Sequence, residues 1–156
     1  FIPRALRLFK EVVLVDIPKA RRYMHPDTIF GRVSTDVALA YPPAFERVRL
    51  YTNGGSREID FLRFAEDRGM KIIPVSDFEQ ARLACTFVTI EPGKILHYDF
   101  ALDRQTKLLL AKEGVDLVCF HSHALHAGGG SLRCLTMGLH RRRDDSDYSA
   151  WLGRAM

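Results

Sequence analysis

Along this chain, helical stretches give way abruptly to short runs of Val, Ile and Leu, and they do so three times. Leu6-Arg-Leu-Phe-Lys-Glu11 leads into Val12-Val-Leu-Val-Asp-Ile-Pro18, Phe64–Gly69 into Met70–Val75, and Leu109–Gly114 into Val115–Phe120. A β-branched run of this length, bounded by turn residues, reads as a strand. Gly69 and Gly114 stand where a helix ends in a left-handed residue, a conformation glycine adopts without steric cost.

Ahead of the second and third helices the pattern predicts pairs of strands. Asp36–Tyr41 and Val48–Tyr51 flank Pro42-Pro43, while Thr86–Ile90 and Lys94–Tyr98 flank Glu91-Pro92-Gly93, a hairpin turn signature. The expected fold class is therefore α/β, built of strand–strand–helix–strand units about 45–60 residues long, a period typical of repeat arrays. Ser56 is the expected cap of a helix bearing Ile59, Leu62 and Ala65. Ser76 and Glu79 form a capping box for a short helix through Ala84, and Asp103 is the expected cap of the helix carrying Leu108–Leu110. The chain opens on the tail of one unit, and Arg133–Leu139 reads as the first strand of another. Residues 147–156 read as a short helix packing through Tyr148, Trp151 and Leu152. An open set of such units leaves unpaired edges, so the array is expected to be incomplete by itself.

At 156 residues, 47% apolar and 27% charged, the composition is that of one globular domain or part of one. No segment approaches the roughly 18 consecutive apolar residues of a membrane span, so no membrane partner is expected. The net charge of +4 is modest. Its most visible source, Arg141-Arg142-Arg143, is followed at once by Asp144, Asp145 and Asp147, which reads as a self-neutralising surface and not as a nucleic-acid patch. Cys85, Cys119 and Cys134 lack the spacing of a disulfide framework, which suits reduced thiols in a cytoplasmic compartment.

The candidate chemistry sits in three places. Gly128-Gly-Gly-Ser-Leu-Arg-Cys134 puts a cysteine just after a glycine triplet, at the start of an apolar run expected to be a strand. It is either a nucleophile at the mouth of a ligand-covering loop or a buried thiol after a tight turn. Met24-His25-Pro26-Asp27-Thr28 puts an imidazole and a carboxylate two apart. On an extended segment they point to one side, as a proton shuttle beside a cation-binding group or as ordinary loop residues. His121-Ser-His123-Ala-Leu-His126 is expected to be loop, with zinc binding the lesser reading beside a supporting role. Cys85 and Cys119 are expected in core strands, and Arg133 is expected to point away from Cys134.

Taken together, Met-His-Pro-Asp-Thr-Ile-Phe at 24–30 and Gly-Gly-Gly-Ser-Leu-Arg-Cys-Leu-Thr-Met at 128–137 resemble the guanidino-group-modifying, or pentein, superfamily. That superfamily includes arginine deiminases, dimethylarginine dimethylaminohydrolases and amidinotransferases. The resemblance runs from about Val12 to Arg142 and takes in Ala38–Phe45 and Ile90–Ile95. It implies a pentein-type α/β propeller of which residues 1–156 form the C-terminal portion of a single catalytic domain. It implies Cys134 as nucleophile, His25 as general acid/base, Asp27 as the carboxylate gripping a guanidinium, and Gly129 and Gly130 as substrate-binding loop. No metal or organic cofactor is implied. The implied reaction is hydrolysis of arginine or a derivative through a covalent amidino-thioether. An amidinotransferase is the runner-up, its case being the basic tail His140–Arg143, and a non-catalytic pentein subunit is the third reading. Only Glu11 and Asp16 are acidic before His25, so the remaining acidic groups of the site are expected from a preceding segment or a second chain.

Overall fold

The three apolar runs all form strands, but each lies in a different sheet. The computed structural model describes residues 1–137. Its elements in chain order are α1 (Ile2–Ala5), β1 (Glu11–Asp16), β2 (Phe30–Arg32), β3 (Val37–Ala40), β4 (Arg47–Thr52), β5 (Gly55–Glu58), α2 (Phe61–Glu66) and β6 (Lys71–Pro74). There follow α3 (Asp77–Ala81), β7 (Val88–Glu91), β8 (Lys94–Tyr98), α4 (Arg104–Lys112), β9 (Asp116–Phe120), α5 (His123–Ala127) and α6 (Leu132–Leu135). No helix among the described residues is long and apolar enough to cross a membrane.

Two of the three sheets carry the expected unit. In β2–β3–β6 the first pair is antiparallel and the second parallel, with α2 making the crossover; β7–β8–β9 repeats the arrangement with α4. The middle strands are the apolar ones. Every residue of β3 (VALA) is buried, as expected for a strand covered on both faces. Gly69 and Gly114 end their helices at φ +75° and +73°, as their positions predict.

The third sheet, β1–β4–β5, is wholly antiparallel and departs from the expected units. β3 and β4 do not pair with each other. Pro42–Ala44 form a 3-10 turn whose prolines offer no N–H, and β4 leaves to pair with β1 while β3 stays between β2 and β6. Ser56 lies inside β5; the cap of α2 is Asp60, whose carboxylate accepts from the amides of Leu62 (2.9 Å) and Arg63 (3.1 Å). Helix α1 forms at residues 2–5, leaving Glu11 to β1. Cys85 is buried as expected, though in the turn after α3, while Cys119 is exposed on β9. The strand expected over 133–139 is replaced, as far as it is described, by the single turn α6. The tail helix and the Arg141–Arg143 cluster lie outside the described residues.

One continuous core joins the two repeated units through Leu39, Ile73, Phe87, Ile95 and Leu110, among others. Glu79, only 3% exposed, fastens them. Its carboxylate closes the capping box on α3, accepting from the Ser76 amide and hydroxyl at 2.9 Å, and also accepts the Asp103 amide at the start of α4 (2.9 Å). Burial by itself raises the Glu79 carboxyl, but these amides and the Thr106 and Ser76 hydroxyls outweigh it and hold the group below its ordinary value.

His97 on β8 is fully buried. Its Nδ1 accepts the Tyr98 amide (2.9 Å), so the neutral ring carries its proton on Nε2 and donates to the Ala84 carbonyl (3.0 Å). Burial pushes its pKa down from 6.5 to about 4, opposed by the Ala84 carbonyl and aided by the Lys107 charge. The unfolded chain therefore binds a proton near pH 6.5 that the folded chain refuses until about pH 4. The stability is full above that window, and about 3 kcal/mol is lost as pH falls through it. Thermal melts across pH 4–7 should show this decline, and a flat profile would count against a neutral buried His97.

Gly31 on β2 faces the turn holding Cys85. A Cβ there would lie 2.2 Å from the Cys85 carbonyl oxygen and 2.8 Å from the Phe87 ring. Backbone cannot yield as a flexible side chain does, so Gly31→Ala is expected to destabilise the fold by about 1–3 kcal/mol, read as a lower denaturant midpoint.

Candidate active site

Three pieces of backbone converge around Cys134: the turn bearing Asp27, the strand entry at Thr86–Phe87, and α6. Pro26 opens a 3-10 turn over residues 26–28. Thr28 stitches that turn to what precedes it, donating its hydroxyl to the carbonyls of His25 (2.7 Å) and Arg22 (3.1 Å). Thr86, buried, donates its hydroxyl to the Asp27 carbonyl (3.2 Å).

This turn changes the expected relation between His25 and Asp27. Residues two apart point to one side of an extended strand, but not of a helical turn. Asp27 is half-buried, and its charge opposes ionisation of Cys134. His25 precedes the turn, stays exposed, and its ring makes no hydrogen bond to Asp27 or Cys134 among the described residues.

Cys134 is exposed on α6 and not on a strand. The helical turn brings Ser131 round to it, with Ser131 Oγ 3.4 Å from Cys134 Sγ. The Ser131 hydroxyl, followed by its amide, draws the Cys134 thiol below the ordinary value of 9.0; burial and the Asp27 charge pull the other way. The thiolate is the reactive form, so the net effect favours nucleophilic chemistry at this cysteine over the other two. Burial raises both Cys85 and Cys119.

Arg133 corrects another expectation. Far from pointing away, its Nε donates to the Phe87 carbonyl (3.1 Å) and its Nη1 lies 3.8 Å from Asp27 Oδ2. Arg133 therefore spans the Asp27 turn, the start of β7 and α6. Its other side lines an open cavity of about 570 Å³ with Arg32, Ser34, Thr89 and Thr136. Gly129 takes φ +83°, which an L side chain resists, while Gly130 is only partly exposed and has open space where a Cβ would be. Ser131 and Arg133 join the site because 132–135 wind as a helical turn, for which the spacing Ser131-x-x-Cys134 is the sequence signal.

The histidine segment is helical from His123 on. His121 Nδ1 sits 2.9 Å from Asp99 Oδ2, and His123 stacks on Phe100 with ring centroids 4.4 Å apart. Among the described residues, no three His, Cys, Asp or Glu side chains are grouped to hold a metal ion.

The profile of the arginine deiminase family matches residues 4–141, from before β1 to beyond α6. The chain belongs to the arginine deiminase family. That membership bears out the pentein resemblance read from the two motifs. The chain is 30% identical over 153 residues to the arginine deiminase of Mycoplasma capricolum, a match covering 85% of this chain and 37% of that protein. It is 24% identical over 156 residues to the arginine deiminase of Streptococcus pyogenes, covering 85% and 36%. It thus spans little more than a third of the curated relatives it matches. Among solved structures, ArgZ, a cyanobacterial arginine dihydrolase, superposes with a TM-score of 0.59 at 21% identity, over 83% of this chain and 18% of that one. AgrE, in a complex with ornithine and NAD+, gives 0.57 at 23%, over 80% and 17%. These likenesses support the mixed α/β fold with its small sheets.

Ser131 provides a direct check on the thiol. Ser131→Ala removes the group chiefly responsible for lowering Cys134, so the pH profile of Cys134 alkylation by iodoacetamide should move to higher pH. Alkylation at pH 7 should slow by about three- to tenfold. An unmoved profile would show that the hydroxyl does not hold the sulfur.

Proposed function

We propose that this chain carries the nucleophile of a cysteine-dependent hydrolase of a guanidino compound, arginine or a derivative, and forms the C-terminal portion of a pentein propeller domain. The observation that carries this reading is the grouping of Asp27, Arg133 and Cys134. Arg133 presents a guanidinium to Asp27 beside the thiol, an internal example of the contact a substrate guanidinium would make. Membership in the arginine deiminase family supports the same chemistry.

A guanidinium carbon is a poor electrophile because its charge is spread over three nitrogens, and a carboxylate holds such a group by paired hydrogen bonds. In the proposed cycle Asp27 grips the substrate. The substrate's positive charge offsets the Asp27 charge that opposes Cys134 ionisation. The thiolate adds to the guanidinium carbon, forming a C–S bond. The tetrahedral adduct collapses by C–N cleavage, and the departing amine takes a proton from His25. An amidino-thioether remains on Cys134. Water, deprotonated by His25, adds to that carbon and expels the thiolate, leaving a ureido product. Gly129 and Gly130 form the loop over the substrate. The proposed cycle calls for no metal or organic cofactor. The acidic groups beyond Asp27 come from sequence outside this chain or from a second chain.

The test is product analysis on the full-length protein with arginine, agmatine and methylarginine as donors. Ureido product without added amine is expected. Product that appears only with glycine or another amine would favour an amidinotransferase, and no product with any donor would favour a binding subunit. Cys134→Ala is expected to lower turnover at least about a thousandfold, and full turnover in that variant would remove the nucleophile assignment.

A further inference from the structure

His121, His123 and His126 take no part in the proposed cycle, yet all three meet one corner of the fold. That corner is Tyr98–Phe100, where the chain leaves β8 for α4. His121 Nδ1 lies 2.9 Å from Asp99 Oδ2. His123 stacks on Phe100 at 4.4 Å between centroids, and His126 meets Phe100 at 5.3 Å and Tyr98 at 6.2 Å. The same Tyr98 and Phe100 pack with Leu132, the first residue of α6.

The glycine loop is thus slung between two short helices that share one aromatic platform. On one side α5 runs straight into it, the amides of Gly128 and Gly129 donating to the carbonyls of Ala124 (3.2 Å) and His126 (2.9 Å). On the other side Leu132 seats the turn that bears Cys134. A five-residue helix is not stable by itself, and α5 has no buried residue. Its histidine rings are what tie it to the platform.

Those ties respond to protons. Asp99 Oδ1 is shut off from solvent with no hydrogen-bond partner among the described residues, so the carboxylate's charge is answered at Oδ2. Neutral His121 donates one hydrogen bond there; protonated, it makes an ion pair, and charge-assisted bonds are the stronger. His121 is accordingly the first cause holding the Asp99 carboxyl below its ordinary value, and the His123 charge adds to it. The His121 and His123 rings meet edge to face at 4.5 Å, so a proton on one opposes a proton on the other. The first proton goes to His121 beside Asp99, and His123 stays neutral on Phe100. The other titratable or charged groups at this corner are Lys107 of α4, whose ammonium donates to the Asp99 carbonyl (2.6 Å), Cys119 of β9, Tyr98 of β8 and His126 of α5.

We propose that Asp99, His121 and His123 form a proton-operated latch on the glycine loop: as pH falls through the imidazole range, α5 is held more firmly on the Tyr98–Phe100 corner, and Gly128–Gly130 with it. This rests on the reading of that loop as the one over the substrate.

The experiment is amide hydrogen exchange followed by mass spectrometry on the full-length protein without substrate. It compares pH 6 with pH 8 as protection factors, so that the pH dependence of chemical exchange cancels. Peptides covering 122–131 should be about two- to fivefold better protected at pH 6. His121→Gln, at an exposed position, should abolish that difference, and Asp99→Asn should do the same. Phe100→Leu should lower protection of these peptides at both pH values. Equal protection of the wild type at pH 6 and pH 8, or an undiminished difference in folded His121→Gln protein, overturns the proposal; unchanged protection in Phe100→Leu does so too. Should His121→Gln fail to fold, Asp99→Asn decides in its place. In turnover, His121→Gln should raise KM at pH 6 and not at pH 8, with kcat little changed. Exchange is read without substrate, so the two readings fail separately. A working latch with no product from any donor sinks the hydrolase reading and leaves the latch standing. Flat exchange with activity lost in Cys134→Ala sinks only the latch.

Discussion

A single buried carboxylate caps two helices at once. Glu79 closes the capping box of α3 with one oxygen and receives the amide of Asp103, the residue just before α4, with the other. A carboxylate out of water is unfavourable unless its lone pairs are filled, and here two amides and two hydroxyls fill them. Because α3 leads out of the β2–β3–β6 unit and α4 belongs to the next, this carboxylate joins the two repeats alongside their shared apolar core. Gly31 packs against the Cys85 backbone in the turn that follows α3. That turn leads directly to Thr86 and Phe87, on which Asp27 and Arg133 are hung.

Around Cys134 opposing influences compete, and those that favour the thiolate win. Ser131 favours the thiolate, while burial and Asp27 oppose it. Because the Asp27 charge is one of the opposing influences, whatever neutralises it favours the thiolate further. Arg133 does this weakly from an exposed position, its side chain 47% exposed and 3.8 Å from the carboxylate. A substrate guanidinium seated on Asp27 would do it more completely, and nucleophilicity would then rise when substrate is present. Cys85 is the contrast: sealed in the core, with Glu79 and Asp27 nearby, its thiol is pushed up and inert.

The antiparallel sheet β1–β4–β5 shows how tertiary structure departs from local pattern. The stretch 47–52 carries an unmistakable strand signal, alternating Arg47 and Arg49 with buried Val48 and Leu50. Nothing in that alternation names a partner, since strand pairing is a contact between distant segments. The prolines at 42 and 43 break the link to β3, and β1 and the unpatterned β5 take its place. A polar edge strand such as GSRE is invisible to hydrophobic periodicity because none of its residues is buried.

By itself the sequence determined what local physics governs: the strand–strand–helix–strand units, the left-handed glycines at 69 and 114, the Ser76–Glu79 box, and the two motifs that mark the family. These depend on periodicity, φ preference and residue identity, all of which are written in adjacent positions. Tertiary structure alone decided which strands pair, that Cys134 rides a helical turn and not a strand, and that Arg133 reaches Asp27. It also decided that His25 and Asp27 part company at Pro26. The physical reason is the same in each case: an apolar run of four or five residues fits a strand or a turn equally well. What settles it is the partner that the rest of the fold brings alongside, here the core beneath Leu132, the Phe87 carbonyl and the Asp27 carboxylate.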